Sequence, residues 1–310
     1  MRIIFMGTPD FAVPCLKALV NSEHNVVGVF TQPDKPKGRG YELAPPPVKV
    51  CALNNGIEVF QPKSMRDGEA LQIINSLNAD LIIVVAFGKI LPVEVLNSVK
   101  YGCINIHASI LPKLRGAAPI QWSIINGDTE TGVTAQQMDI GVDTGDILMV
   151  KKINIPIDMN AGELFDELSL CGAEVLIDTI KLVESNGLKP VKQNEKEATY
   201  ASMLSKALCP IDFSKSALEV HNHIRGLSPW PIATTKVNGK LLKIHKSKIL
   251  NESTMKNSGE VVDNNNRLVV ACGNGTCIEI LELQAEGKKR TDAASYLRGN
   301  KIELGTILGG

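Results

Sequence analysis

From Arg2 to about Asn186 the chain alternates short β-branched runs with segments of helical period, and this alternation restricts the fold more than any other feature. Residues 2–7, 25–31, 57–60, 80–87 and 103–108 are continuous apolar runs of strand length. A strand apolar on both faces is covered on both sides, so these are expected to be buried and parallel. Between them Phe11, Cys15, Leu16 and Leu19 share one helical face. Residues 67–77 and 119–125 keep helical spacing, and residues 163–184 form a longer amphipathic helix. Thr8 is expected as an N-cap with Pro9 at the first helical position. The expectation is an α/β fold, a Rossmann-like doubly wound parallel sheet, over residues 1–186.

Residues 187–206 are polar and aperiodic, and are expected to be a linker. Beyond them the pattern changes to one helix (residues 216–225) and short strands joined by turn signals. Val237-Asn238-Gly239-Lys240 and Gly273-Asn274-Gly275-Thr276 are hairpin signals. Residues 207–310 are therefore expected to form a small C-terminal β-barrel, with an OB-like topology as one option. The whole chain carries no net charge, but residues 207–310 hold 14 Lys and Arg against 10 Asp and Glu. That half is the better candidate for phosphate contacts, through Lys243, Lys246, Lys248, Lys288, Lys289 and Arg290. No apolar stretch of about 18 residues offers a membrane span. The opening residues read straight into a strand without a signal-peptide pattern. The seven cysteines are scattered through apolar runs with no CxxC spacing, as expected of free thiols in a reducing compartment. A cytoplasmic, monomeric protein with no membrane contact and no metal is expected.

Three segments carry candidate chemistry. Asn105 and His107 alternate in a strand, so they share a face near its carboxyl end, where open α/β sheets place ligands. An amide beside an imidazole offers an oxyanion donor and a proton-transfer group, while a structural histidine at a strand end remains the plainer alternative. Asp139, Asp143 and Asp146 stand among glycines. A calcium loop is disfavoured because Val150 occupies the place of its bidentate Glu. A tight turn, or a carboxylate that orients His107, are the two readings left. Gly7-Thr8-Pro9 has neither G-x-G-x-x-G spacing nor a Walker lysine, which removes the main support for a dinucleotide enzyme. Residues 32–49 are rich in Pro and Gly and long for a connection inside a sheet. Lys35, Lys37 and Arg39, with Gly38 and Gly40 beside them, suit a basic finger for phosphates, and a solvated loop is the alternative.

Taken together, several segments resemble the methionyl-tRNA branch of the formyltetrahydrofolate-dependent formyltransferases over essentially the whole chain. They are Gly7 to Phe11, Thr31 to Pro36 with Gly38-Arg39-Gly40, Ala86-Phe87-Gly88 with Ile90-Leu91-Pro92, Asn105-Ile106-His107 and Ser109 to Pro112. Arg115 to Gln121, Met138 to Asp146, Arg225-Gly226 with Pro229-Trp230-Pro231, and Gly287-Lys288-Lys289 complete the set. One departure is Ala207-Leu208-Cys209-Pro210 ahead of Ile211-Asp212-Phe213, which puts contacts at the end of the linker in doubt. The resemblance implies a catalytic trio of Asn105, His107 and Asp143. It implies a folate pocket bordered by Phe87, Gly88, Ile90, Leu91, Pro92, Ser109, Ile110, Leu111, Pro112, Met138, Asp139 and Val142. It also implies 10-formyltetrahydrofolate as formyl donor and methionyl initiator tRNA as acceptor, with Lys35, Lys37, Arg39 and Gly40 reaching the tRNA. Formylation of a sugar nucleotide and RNA binding without catalysis are the two rival functions.

Overall fold

The structure is a computed structural model that describes residues 1–37 and 42–309. Gly38, Arg39, Gly40 and Tyr41 lie outside the described residues, and with them the proposed tip of the basic finger. Two compact units divide the chain: residues 1–119, 131–153 and 165–201 form one, and residues 120–130, 154–164 and 202–310 the other.

In chain order the elements to residue 201 are β1 (Arg2–Gly7), α1 (Val13–Val20), β2 (Asn25–Phe30), β3 (Lys35–Lys37), β4 (Glu42–Ala44), α2 (Pro47–Asn54) and β5 (Val59–Phe60). They continue with α3 (Glu69–Ser76), β6 (Leu81–Val85), α4 (Val93–Leu96), β7 (Cys103–His107), β8 (Arg115–Gly116) and α5 (Pro119–Ile125). β9 (Glu130–Gln137), β10 (Ile147–Asn154), α6 (Ala161–Glu184) and β11 (Tyr200–Ala201) complete the series.

The main sheet has the order β10-β9-β7-β6-β1-β2-β5, with β5, β2, β1, β6 and β7 parallel and β9 antiparallel to β7. Every residue of β6 and Ile3 to Met6 of β1 are buried, as the continuous apolar runs require. One face, with Ile4, Met6, Ile82 and Val84, joins Ile74, Val95 and Leu96 in a single core. On the other face α6 comes so close that a Cβ at Gly172 would sit 3.3 Å from Ile106 Cγ2 and 3.5 Å from Cys15 Sγ. Sheet and helices thus form the layered α/β arrangement expected.

Three local expectations are revised. Residues 32–49 are not one irregular loop: β3 and β4 pair as an antiparallel hairpin, and α2 starts at Pro47, a residue preset for the first helical turn. Thr8 does not cap a helix: its hydroxyl oxygen accepts from the distant Gln32 N–H at 3.4 Å while its hydrogen goes to the Phe87 carbonyl at 3.0 Å. A 3-10 turn at Asp10–Ala12 follows instead, with Pro9 at its N-cap. In the stretch read as a linker, Val191 bridges to Ile147, and β11 pairs in parallel with β8.

The second unit contains α7 (Ala217–Gly226), β12 (Ala233–Val237), β13 (Lys240–Ser253), β14 (Val261–Asp263), β15 (Leu268–Ala271), β16 (Thr276–Ala285), β17 (Thr291–Asp292) and α8 (Ala293–Gly299). Its antiparallel sheet has the order β12-β13-β16-β15-β14, with β17 on β16, and fits a barrel-like domain. Ser216 and Glu219 make a reciprocal capping box that starts α7. Asn238 and Gly239, at φ 49° and 75°, form the tight hairpin turn expected between β12 and β13. Among the described residues no helix is long and apolar enough to cross a membrane.

Candidate active site

The site forms where β7 ends beside an antiparallel neighbour. Asn105 pairs with Gln136 and His107 with Thr134, so alternation puts all four polar side chains on one face of the sheet. His107, Thr134 and Gln136 are buried and Asn105 is half-buried. After β9 the chain turns back through residues 138–146, and in that turn Asp143 adopts the left-handed conformation at φ 55°. Its Oδ1 accepts from Gln136 Nε2 at 2.8 Å and Asn105 Nδ2 at 3.2 Å, and lies 3.6 Å from His107 Nδ1. Its Oδ2 accepts from the Gly116 backbone N–H at 2.8 Å. Hydrogen bonds to an ionised acceptor are the strong ones, so this carboxylate organises everything around it.

His107 Nε2 stands 3.0 Å from the Leu114 carbonyl, which can only accept. The proton on that nitrogen is therefore fixed, and Nδ1 is the atom left to face a reactant. Thr134 holds the following loop by donating to the Ser109 carbonyl at 2.6 Å while accepting from Leu111 N–H at 3.1 Å. Gly116 has φ 109°, and a Cβ there would lie 2.9 Å from the Ala201 carbonyl oxygen, so a side chain would displace the N–H that binds Asp143. Burial pushes the Cys103 thiol, also on β7, up to about 12, which keeps it protonated and unsuited to nucleophilic work.

The trio of Asn105, His107 and Asp143 is thus brought together. Of the residues expected to border a folate, Phe87, Leu91 and Met138 meet in one apolar cluster with Cys103. Ile90 and Val142 remain 62% and 57% exposed, and Ile140, next to Val142 in the chain, is 82% exposed. Pro92 is the N-cap of α4. Gly88, at φ 75°, has its carbonyl and that of Phe87 bound by Gln32 Nε2. Ser109 and Leu111 are buried, Ile110 and Pro112 half-buried. Asp139 braces its own turn, accepting from Gly141 N–H at 3.0 Å and the Thr144 hydroxyl at 2.5 Å.

Lys35 and Lys37 lie on β3, and Lys35 donates to Gln32 Oε1 at 2.7 Å. In the second unit Lys246, Lys248, Lys288 and Lys289 are exposed and Lys243 half-buried, whereas Arg290 is occupied by an ion pair with Glu282. Lys288 and Lys289 line, with Lys240 and Tyr296, a cavity of about 550 Å³. Sequence reasoning missed Thr134 and Gln136, although two polar residues at period two in an otherwise buried strand were the available signal. It also missed the Leu114 carbonyl and Gln193, whose amide binds two carbonyls of the Asp143 turn and which no periodicity marks.

Known proteins supply an independent comparison. Residues 1–180 match the formyl transferase family and residues 203–301 the formyl transferase C-terminal domain. Methionyl-tRNA formyltransferase of Clostridium novyi is 51% identical over 99% of this chain and 100% of its own length. That of Clostridioides difficile is 47% identical over the full length of both. Among solved structures, an N-formyltransferase from Helicobacter canadensis in complex with folinic acid and dTDP-3-aminofucose shares the fold at TM-score 0.70 and 24% identity, over 92% of this chain and 99% of that one. HypX from Aquifex aeolicus in complex with tetrahydrofolic acid aligns at TM-score 0.61 and 16% identity, over 98% of this chain and 50% of that one.

Proposed function

Because the chain belongs to the formyl transferase family, and within it to the methionyl-tRNA formyltransferases, we propose that Asn105, His107 and Asp143 carry its formyl transfer. The reaction formylates the methionine of initiator tRNA. We take the donor to be 10-formyltetrahydrofolate, with its ring system against the exposed apolar side chains of Ile90, Ile140 and Val142. Their exposure suits a flat heterocycle, and structures of the same fold hold folinic and tetrahydrofolic acid.

The methionyl amine attacks the formyl carbon, charge builds on the formyl oxygen, and the bond from that carbon to the folate nitrogen breaks. The proton lost by the amine ends on the departing nitrogen. Asn105 uses one amide hydrogen on Asp143 and has a second for the developing oxyanion. With Nε2–H on the Leu114 carbonyl, His107 Nδ1 is the acceptor nitrogen: it can take the proton lost by the amine and, once charged, donate it towards the oxyanion or the departing nitrogen. Asp143 orients both partners. No metal enters this reading: both Asp143 oxygens and Asp139 Oδ1 accept from protein donors. Lys35, Lys37, Arg39 and Gly40, and Lys243, Lys246, Lys248, Lys288 and Lys289 of the second unit, are the proposed tRNA contacts.

The observation that carries the assignment of the trio is the single carboxylate bound by Asn105 and facing His107 Nδ1 at 3.6 Å. Purified protein should formylate methionyl-tRNA from 10-formyltetrahydrofolate and leave a sugar-nucleotide amine untouched. Asn105→Ala, His107→Ala and Asp143→Asn should each lower kcat by about 10²-fold or more. Parental turnover in the Asn105 or His107 variant would remove the mechanism.

A further inference from the structure

Asp143 owes its geometry to a residue far along the chain. Its φ of 55° is left-handed backbone, which Asp adopts in turns more readily than most L-residues and which fixed partners can hold. The turn is braced at its start by Asp139, which accepts from Gly141 N–H and the Thr144 hydroxyl. Beyond Asp143 the brace is Gln193. Its Nε2 donates to the Asp143 carbonyl at 2.9 Å and to the Gly145 carbonyl at 2.7 Å. Its Oε1 accepts from Arg115 Nε at 3.0 Å and Arg115 Nη2 at 2.8 Å. Both amide hydrogens and both acceptor positions are thus in use.

This amide cannot turn over. Reversed, it would set its oxygen against two carbonyls and its hydrogens against a guanidinium. Arg115, fully buried, cannot supply anything but donors, and Glu195 holds its far side at 2.7 and 2.9 Å. Arg115 is also the residue before Gly116, whose N–H binds the Asp143 carboxylate. One short strand, β8, therefore fixes Asp143 twice: through Gly116 at the side chain and through Arg115 and Gln193 at the backbone. The segment that delivers Gln193 is itself anchored by the Ile147–Val191 bridge and by β11 on β8.

We propose that Gln193 is a positioning residue for formyl transfer, its oriented amide holding the Asp143 turn so that the carboxylate stays aimed at Asn105 and His107. The proposal rests on the catalytic assignment of those three residues. Gln193 touches no reactant, so its removal acts on turnover rather than on either substrate's binding.

The test is a double-mutant cycle of Gln193→Met and Asp143→Asn, with kcat and both KM values measured for methionyl-tRNA and 10-formyltetrahydrofolate. Gln193→Met keeps the length of the side chain and deletes the amide. It should lower kcat roughly 10- to 10²-fold with each KM unchanged within about twofold. In the Asp143→Asn background the same change should alter kcat by less than about twofold, because the group it positions is already gone. A full Gln193→Met effect retained in that background would mean a general structural role and overturn the proposal, as would parental kcat in the single variant. Parental kcat in Asp143→Asn alone would instead sink the catalytic assignment beneath it. Should Gln193→Met fail to fold, Gln193→Asn, with its amide one methylene short, enters the same cycle with the same outcomes.

Discussion

A single methyl group at Gly145 should disable the enzyme almost as well as deleting an oxyanion donor. A Cβ there would lie 1.6 Å from the Gln137 carbonyl oxygen and 2.8 Å from its carbon, both backbone atoms of β9. Carbon and carbonyl oxygen rest no closer than about 3.3 Å, so the turn or the strand must move by roughly 1.7 Å. Gly145 is two residues from Asp143, and its carbonyl is one of the two bound by Gln193. The same movement breaks the bond from Gln137 N–H to the Asp146 carbonyl at 2.9 Å. Overpacking of this kind costs about 1–3 kcal/mol and the lost hydrogen bond about 1 kcal/mol more. A displacement of about 1 Å at a reacting group costs on the order of 10² in rate. Gly145→Ala should therefore melt several degrees lower while folding, and show kcat reduced roughly 10²-fold in an initial-rate formylation assay. Gly145→Ala turning over within about threefold of the parent would refute the claim that this turn's position sets the rate.

Gln136→Leu removes a donor to Asp143 together with the buried Gln136 Oε1, which has no partner among the described residues. It should cut kcat about tenfold while leaving the melting temperature nearly unchanged, and a large loss of stability would contradict this account. His221, His223 and His245 of the second unit all have pKa values held below the ordinary 6.5 by burial. The unfolded chain then binds more protons, so stability is full above pH 6.5 and falls as the pH drops below it; His221→Gln should flatten that fall in melts between pH 7 and 5. Lys288→Ala with Lys289→Ala should raise KM for methionyl-tRNA and lessen its salt dependence, while KM for the folate stays put. Equal tRNA kinetics at moderate salt would rule these lysines out as contacts.

The parts of this molecule legible in its sequence are those governed by burial. β1, β6 and β7 show as apolar runs because both their faces are covered, and period two alone placed Asn105 and His107 on one side. Asp143 needed the family resemblance to be chosen over Asp139 and Asp146, since three carboxylates among glycines look alike until the turn is seen. β3 and α2 were hidden by prolines at 36 and 47, residues that read as breaks and here sit within an edge hairpin and at a helix start. Thr8 looked like a cap because local rules cannot see Gln32, 24 residues away, whose N–H its hydroxyl oxygen accepts. Gln193 was invisible for a related reason: a residue whose partners are a buried guanidinium and two backbone carbonyls needs no periodicity.

The same connection has a consequence for how the enzyme is made. Asp143 and the amide that grips its carbonyl are 50 residues apart. Translation at about 5–20 residues per second puts roughly 3–10 s between them. During that interval Asn105, His107 and Asp143 have all been synthesised, yet the amide that holds the Asp143 and Gly145 carbonyls is absent. The reacting side chains are made first and this brace last, so a product of interrupted translation that ends before residue 193 carries the chemical groups of the enzyme without the amide that holds the backbone of their turn.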